Sequence, residues 1–201
     1  MISHYEIIKD NNDPDNDETL NTVNLKQILS SGITLELQDN SKNKLAAVMI
    51  IVFGSEPMVL MTERSKTMNH HAGEISFPGG TWDEKDGDLL TTAIRETREE
   101  LGLEISKSMV IGQLKPVTTL NSGFKIMPFV TILGELPKIL PSSEIASVLR
   151  IPLLPLLKTI ENDKDPSHRS ILEMYTFKFD NHLIWGASAR MLKQIHDKIL
   201  P

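Results

Sequence analysis

Residues 76–103 of the chain read SFPGGTWDEKDGDLLTTAIRETREELGL, which is typical of a strand end, a glycine-rich loop and a helix in succession. The spacing predicts a helix from Leu89 to Leu101, because four residues recur at helical intervals and form one inward stripe. The members of that stripe are Leu90, Ile94, Thr97 and Leu101. Asp86 or Asp88 can cap the start of this helix, and Gly102 follows its end, where a left-handed backbone favours glycine.

Three carboxylates share a second face of the same helix. Glu96, Glu99 and Glu100 are spaced i, i+3 and i+4, so their side chains lie close together. The ordinary interpretation of such a group is a solvated acidic face. Two features favour a site instead: Arg95 can bond the neighbouring carboxylates and fix their positions, and the glycine-rich loop can bring free carbonyl groups near the helix. Carboxylate and carbonyl oxygens are hard ligands, so the stretch predicts a site for Mg²⁺ or Mn²⁺.

The helix and loop together resemble the Nudix box, G-x5-E-x7-R-E-U-x-E-E-x-G-U, where U is a bulky aliphatic residue. The second half matches residues 95–103, with Thr97 in an aliphatic position. The first half is one residue longer than the general pattern, and Asp86 stands in place of the lead Glu. This form is similar to that of the Nudix hydrolases that act on coenzyme A, which carry Gly-Gly-x-x-Asp-x-x-Asp. The corresponding residues here are Gly79, Gly80, Asp83 and Asp86.

A second signature of the coenzyme A branch lies upstream of the loop, L-L-T-x-R-S/A-x3-R-x3-G-x3-F-P-G-G. Residues 60–80 read LMTERSKTMNHHAGEISFPGG, so that almost every fixed position agrees, but the second Arg is Asn69. The resemblance implies a substrate-binding set of Arg64, Asn69, Gly79, Gly80 and Phe124. In that set the guanidinium of Arg64 suits a phosphate and Phe124 suits an adenine ring. The ordinary alternatives are a surface cation at a strand end and a core aromatic residue.

The fold class that this resemblance implies is α+β, an α/β/α sandwich in which helices flank a mixed central β-sheet. The implied reaction is metal-dependent hydrolysis of a nucleoside diphosphate linkage, which for coenzyme A gives 3′,5′-ADP and 4′-phosphopantetheine. Glu96, Glu99, Glu100 and the Gly80 carbonyl would hold the metal. Glu96 or Glu100 would take the proton from the attacking water, with Glu144 as a further candidate, and Arg95 would orient Glu96.

Three hypotheses follow for the function. The first is a coenzyme A diphosphatase, supported by the upstream signature. The second is a Nudix hydrolase of ADP-ribose or a dinucleotide, because Asn69 in place of Arg weakens contact with the 3′-phosphate of coenzyme A. The third is a Nudix-fold binding protein without activity, which the presence of Arg95 and all three helix carboxylates disfavours.

The length and composition of the chain limit its number of domains, its partners and its location. With 201 residues the chain suits one domain, predicted as residues 24–201, after a polar and acidic segment, residues 1–23, predicted to be disordered or weakly ordered. A net charge of -6 disfavours nucleic acid as a partner. The partner that the resemblance implies is a small nucleotide of the coenzyme A type. No apolar run approaches the ~20 residues of a membrane span and no secretory signal is visible, so we expect a cytoplasmic protein. A homodimer is among the assemblies that the sequence allows.

The remaining elements follow from apolar patterning. We expect strands at residues 44–53 and 58–64, joined as a hairpin, and further strands at residues 109–119, 125–133 and 171–179. We expect helices at residues 20–29 and 187–200. Ser142 or Ser143, followed by Glu144, predicts the start of another short helix. Trp185, Gly186 and Arg190 also resemble the end of the family pattern.

Overall fold

The computed structural model describes residues 21–35, 44–65, 73–120, 122–164 and 174–200 of the chain. The helices are α1 (Thr22–Leu29), α2 (Leu89–Leu101), α3 (Leu153–Leu157) and α4 (Gly186–Ile199), with 3-10 turns at Glu84–Asp86 and Lys107–Met109. The strands are β1 (Lys44–Phe53), β2 (Met58–Arg64), β3 (Ile75–Ser76), β4 (Gly79–Thr81), β5 (Val110–Gln113), β6 (Val117–Thr118), β7 (Phe124–Leu133), β8 (Ile145–Pro152), β9 (Glu161–Asn162), β10 (Tyr175–Phe179) and β11 (His182–Ile184).

The main sheet is mixed and has β1 at its centre. Its path runs β3-β2-β1-β7-β5, and β1 pairs antiparallel with β2 and parallel with β7. Strand β4 pairs with the first half of β1, β6 with β7, and β8 with β2. A smaller sheet contains β9, β10 and β11. The expected hairpin of β1 and β2 and the expected mixed sheet are confirmed.

Helices cover both faces of this sheet. Ile50 of β1 belongs to the same buried cluster as Leu192 of α4, whereas its neighbour Met49 belongs to the cluster that contains Leu90 of α2. Helices α1 and α3 add buried leucines to the α4 side. Successive β1 side chains therefore point to opposite helical layers, which explains why this strand is apolar almost throughout. The expected α+β class with flanking helices is confirmed.

The predicted helix start at Ser142 and Ser143 is wrong, because Ile145–Pro152 forms β8. This strand pairs antiparallel with β2 over nearly its whole length, from Arg64↔Ile145 to Met58↔Pro152. The preceding segment is used at the end of α2, where the Ser142 N–H donates to the Glu100 carbonyl. Helix-end carbonyls need such partners, and tertiary pairing here overrides the local capping pattern.

The strand expected at residues 109–119 is divided into β5 and β6. Pro116 lies in the gap and has no N–H for a sheet ladder. The backbone of Lys115 pairs instead with the side chain of Gln194 on α4, which accepts from its N–H at 2.9 Å and donates to its carbonyl at 3.0 Å. A helix side chain thus replaces a strand partner at this point.

The two ends of the chain agree with the patterning where they are described. Helix α1 begins at Thr22, and the Asn21 side chain accepts from two N–H groups of its first turn. Helix α4 begins at Gly186, one residue before the expected start. Residues 1–20, which make up most of the segment predicted to be weakly ordered, lie outside the described residues, as do residues 171–173 of the last predicted strand. None of the helices in the described ranges is long and apolar enough to cross a membrane.

Candidate active site

Helix α2 presents the predicted acidic face in a defined orientation. The Asp88 side chain caps it by accepting from the Thr91 N–H at 2.7 Å, and Gly102 ends it in the left-handed conformation, with φ 66° and ψ 18°. Thr97, the polar member of the buried stripe, donates its hydroxyl to the Ala93 carbonyl at 2.7 Å. The predicted bounds of α2 and its C-terminal glycine are confirmed, and Asp88 is the cap of the two candidates.

The glycine-rich loop lies directly against this face. The Gly79 N–H donates to Glu100 Oε2 at 3.1 Å. A Cβ atom at Gly79 would lie 2.3 Å from the Ala47 carbonyl oxygen, and one at Gly80 would lie 2.4 Å from the carboxyl carbon of Glu96. Real Cβ atoms do not approach so closely. Gly79 would meet backbone atoms and therefore requires glycine, whereas a side chain at Gly80 would displace the Glu96 carboxylate. The two glycines therefore fix how near β4 comes to Glu96 and Glu100.

Arg95 binds the neighbouring acidic residues through all three nitrogen atoms of its guanidinium. It binds Asp86 in a bidentate pair, with Nε at 2.8 Å from Oδ1 and Nη2 at 2.9 Å from Oδ2. Nη1 donates to Glu96 Oε1 at 2.8 Å and to Glu99 Oε2 at 3.0 Å, and Nη2 also donates to the Thr81 carbonyl at 3.2 Å. The expected contacts of Arg95 with the neighbouring carboxylates, Glu96 and Glu99, are confirmed.

Asp86 is the partner of Arg95 that the sequence interpretation missed. Its hydrogen bonds to Arg95, together with one from the Thr92 hydroxyl at 2.8 Å, lower its pKa to about 2. The Asp83 N–H also donates to Asp86 Oδ2 at 3.2 Å, within the 3-10 turn that precedes α2. The Asp-x-x-Asp spacing singles out Asp86 in the sequence, but it does not show that the Asp86 side chain contacts Arg95.

The three helix carboxylates occupy different environments. Glu100 is 7 % exposed, and burial raises its pKa to about 7, although the Gly79 N–H and the charge of Arg64 oppose this rise. Burial also raises the pKa of Glu96, with Arg95 acting in the opposite direction. The Glu99 side chain is more than half exposed. The acidic edge, defined here as Asp86, Arg95, Glu96, Glu99 and Glu100, therefore runs from buried to solvated.

The donor set of the acidic edge suits a hard divalent cation. Each of the three helix glutamates uses one carboxylate oxygen in the hydrogen bonds above. Among the described residues, the second oxygen of each takes part in none of these hydrogen bonds and could bind another ligand. Within the described ranges, no group of three acidic or histidine side chains is already arranged around a common metal position. The chemistry of these oxygens fits Mg²⁺ or Mn²⁺, because such loosely caged ions take a few carboxylates and complete their shell with water and phosphate.

Arg64 lies between the acidic edge and the opposite face of the sheet. Its Nη2 is 3.4 Å from Glu144 Oε2, and the Ser65 N–H donates to the Glu144 carbonyl at 2.8 Å. Arg64 Nε is buried and has no hydrogen-bond partner among the described residues. Glu144, a further candidate for the proton acceptor, thus pairs with Arg64. The charge of Arg64 lowers the pKa of Glu100 and that of Glu144 raises it.

A cavity of about 290 Å³ opens on the α4 side of the sheet, and Arg64 forms part of its wall. Most of its lining is apolar, and Phe124 is included. At its rim Leu120 is 53 % exposed and Trp185 is 42 % exposed, although both are large apolar side chains. We call this space the α4 cavity. Trp185 and Arg190, which resemble the end of the family pattern in sequence, both line the α4 cavity.

The predicted substrate-binding residues are thus divided between two places. Arg64 and Phe124 line the α4 cavity, and Gly79 and Gly80 lie against the acidic edge. Asn69 lies outside the described residues.

Comparison with known proteins gives consistent matches over most of the chain. The family model described as the NUDIX domain matches residues 43–173. A relative from Photorhabdus laumondii subsp. laumondii, named "Uncharacterized Nudix hydrolase NudL", is 33% identical over 174 residues, which cover 81% of this chain and 88% of that protein. A relative of the same name from Yersinia pestis (strain Pestoides F) is 32% identical, covering 80% and 82%.

Two solved structures share the fold at low sequence identity. A MutT/nudix family protein from Enterococcus faecalis superposes with a TM-score of 0.56 at 15% identity, covering 81% of this chain and 64% of that chain, which is under two thirds of its length. The Nudix hydrolase RenU from M. smegmatis gives a TM-score of 0.50 at 14% identity, covering 85% and 98%. At these identities the likeness supports the architecture alone.

Proposed function

Because the chain belongs to the NUDIX domain family, we propose that it hydrolyses the diphosphate linkage of coenzyme A or one of its derivatives, giving 3′,5′-ADP and 4′-phosphopantetheine. Membership makes the chain a hydrolase of nucleoside diphosphate derivatives, and coenzyme A is the proposed substrate within that class. The observation that carries the proposal is the position of Arg64, a signature residue of the coenzyme A branch. It lies between the acidic edge and the α4 cavity, where the diphosphate of a bound nucleotide would pass.

The proposed metal ligands are Glu96, Glu99, Glu100 and the Gly80 carbonyl, which would hold Mg²⁺ or Mn²⁺. When bound, the ion neutralises the diphosphate and makes a water molecule more acidic. Arg95 is a positioning residue in this scheme, because it holds Glu96 and Glu99 through Nη1 while Asp86 anchors its other edge. Gly79 does the same for Glu100 through its N–H.

Glu96 and Glu100 are the proposed acceptors for the proton of the attacking water. Glu100 is buried and Glu96 is partly buried, and burial raises the pKa of both carboxylates, so each can take a proton more readily than an exposed glutamate. Glu144 is less suited to this role, because its side chain is 52 % exposed, whereas those of Glu96 and Glu100 are largely shielded from solvent. On the other side of the sheet, Arg64 would bind a substrate phosphate and Phe124 would contact the adenine ring.

The test is product identification with the purified full chain, Mg²⁺ or Mn²⁺ and coenzyme A, followed by chromatography. We expect 3′,5′-ADP and 4′-phosphopantetheine in equal amounts, and we expect excess EDTA to abolish their release. Hydrolysis of ADP-ribose or a dinucleotide under the same conditions, with coenzyme A left intact, would overturn the choice of substrate. Turnover that persists in EDTA would overturn the metal site.

ADP-ribose or a dinucleotide is the second candidate, favoured by one observation, Asn69 at a signature Arg position. Substitution of Asn69→Arg separates the two. For a coenzyme A diphosphatase, the KM for coenzyme A should fall or stay level, because the new guanidinium adds a phosphate contact. An increase in that KM would count against a substrate contact at this position. The cytoplasmic location and the homodimer stay predictions from the sequence.

A further inference from the structure

A second depression, of about 280 Å³, adjoins the α4 cavity. It lies where the start of β6 and strand β10 meet α4, and Arg190 belongs to the walls of both spaces. We call it the basic groove and define it by Lys115, Tyr175, Arg190, Lys193 and Asp197. Because Arg190 lines both spaces, a ligand seated in the α4 cavity can extend past this side chain into the basic groove.

The charge of the basic groove opposes that of the whole protein. Three cations and one anion line it, so its formal charge is +2 in a chain of net charge -6. The anion, Asp197, is already paired, because Lys193 Nζ lies 2.5 and 2.6 Å from its two carboxylate oxygens and its pKa is lowered by that contact. The same ammonium lies 5.2 Å from the ring centre of Tyr175. The charges of Lys115 and Arg190 are therefore not balanced within the groove.

Arg190 is held in place by the turn that carries Phe124. Its Nη1 donates to the Thr118 carbonyl at 2.8 Å, and Thr118 is the register partner of Lys125 in β7. Thr119, the next residue, accepts from the Phe124 N–H through its hydroxyl at 2.8 Å. A guanidinium has five N–H donors in a fixed plane. Among the described residues Arg190 donates to the Thr118 carbonyl, which orients the group and leaves other donors for a ligand.

We propose that the basic groove is a subsite for a phosphomonoester on the ribose of the bound nucleotide, with Arg190 as its principal contact and Lys115 as a second cation. The inference rests on the proposed placement of the nucleoside in the α4 cavity. A phosphate dianion suits a planar guanidinium better than it suits an isolated lysine, because the guanidinium can donate to two oxygens at once. The ordinary alternative is a solvated group of surface charges without a ligand.

Titration calorimetry of the full chain in Mg²⁺ tests this directly, with 3′,5′-ADP and 5′-AMP as probes that differ by one phosphate. We expect the wild type to bind 3′,5′-ADP at least about tenfold more tightly, as one charge-assisted contact predicts. Arg190→Gln should remove most of that preference, Arg190→Lys should keep part of it, and Lys115→Gln should reduce it less. Lys198→Gln is the matched control, because Lys198 is an exposed lysine of α4 outside the groove and its loss should leave the preference unchanged.

Three outcomes would overturn the subsite. One is equal affinity of the wild type for the two probes, and another is an equal loss for both in Arg190→Gln, which would assign Arg190 to holding the turn. The third is an equal effect of the control substitution. Calorimetry measures binding without turnover, so the subsite and the proposed activity are tested independently. A retained preference without hydrolysis of coenzyme A would refute the reaction alone, and hydrolysis without the preference would refute the groove alone.

Discussion

The acidic edge and the α4 cavity lie on different sides of one sheet and are built in opposite ways. In the acidic edge, Asp86, Glu96 and Glu99 each have a short contact with Arg95, which makes five hydrogen bonds. Glu100 accepts from the Gly79 N–H instead. In the α4 cavity the lining is mostly apolar, and Arg64 Nε is buried without a partner among the described residues. A preorganised charged cluster suits the reacting bond, and an apolar space with few polar groups suits recognition of a ligand.

Substitutions in the two regions should therefore change different kinetic constants. Substitutions at the acidic edge should lower kcat, because they disturb groups that act on the reacting atoms. Substitutions in the α4 cavity should raise KM, because they remove contacts made equally in the ground state and the transition state.

Glu100→Gln should give the largest loss. The substitution removes a buried carboxylate that is both a proposed metal ligand and a proposed proton acceptor, and we expect kcat to fall about a thousandfold. Glutamine keeps the size of the side chain, so circular dichroism and the melting temperature should show an intact fold. Glu104→Gln, at an exposed position just after α2, is the matched control and should turn over normally. Full activity of the Glu100 variant would show that the acidic edge is not the catalytic site.

Gly80→Ala should come next, because its Cβ would lie 2.4 Å from the Glu96 carboxyl carbon. The carboxylate must move by about 1 Å, and a displacement of that size in a catalytic group costs on the order of a hundredfold in kcat. Gly134→Ala is the control, since nothing lies within 4 Å of a Cβ atom there. Equal kinetics of the two variants would contradict the close packing of loop and helix.

Asp86→Asn tests whether the anchor of Arg95 contributes to stability. Hydrogen bonds to Arg95 lower the Asp86 pKa from 3.8 to about 2, a shift that corresponds to about 2 kcal/mol. A lowered pKa gives stability that is present above the unfolded pKa and is lost as the pH falls through the folded pKa. The difference in unfolding free energy between wild type and variant, from urea titrations, should therefore shrink by about this amount between pH 5 and pH 2. If the difference in unfolding free energy does not change with pH, the charge of Asp86 does not contribute to stability.

Trp185→Ala should have the smallest effect on the rate. The loss of one exposed aromatic contact at the rim of the α4 cavity should raise the KM for coenzyme A about tenfold, with kcat within about twofold. Leu183→Ala is the control, because Leu183 is also exposed and apolar but does not line the cavity. A fall in kcat without a change in KM would place Trp185 with the acidic edge and break the division between the regions.

The same contrast explains what the sequence could predict. The bounds of α2, its end at Gly102 and the contacts of Arg95 with Glu96 and Glu99 depend on residues close in the chain, and patterning found them all. Asp86 was identified as a conspicuous acid, but its contact with Arg95 depends on how the 3-10 turn folds back.

Features that depend on distant pairing were not predictable in the same way. Residues 142–150 carry a good helix-start pattern, yet β2 recruits Ile145–Pro152 into the sheet across some 80 positions of sequence. The α4 cavity combines parts of β1, β3, β7 and α4, and no short motif records that they meet. Local propensity is a weak guide wherever a sheet partner or a packed helix decides the outcome.

If the acidic edge cleaves a diphosphate whose nucleoside lies in the α4 cavity, we expect coenzyme A to be the preferred substrate. A competition assay measures this most directly: equimolar coenzyme A and ADP-ribose in one reaction with the purified chain and Mg²⁺, with both products followed over time. The initial ratio of products equals the ratio of the two kcat/KM values. We predict that 3′,5′-ADP forms at least about tenfold faster than the ADP-ribose products, as one added phosphate contact implies. A ratio at or below one would contradict the account.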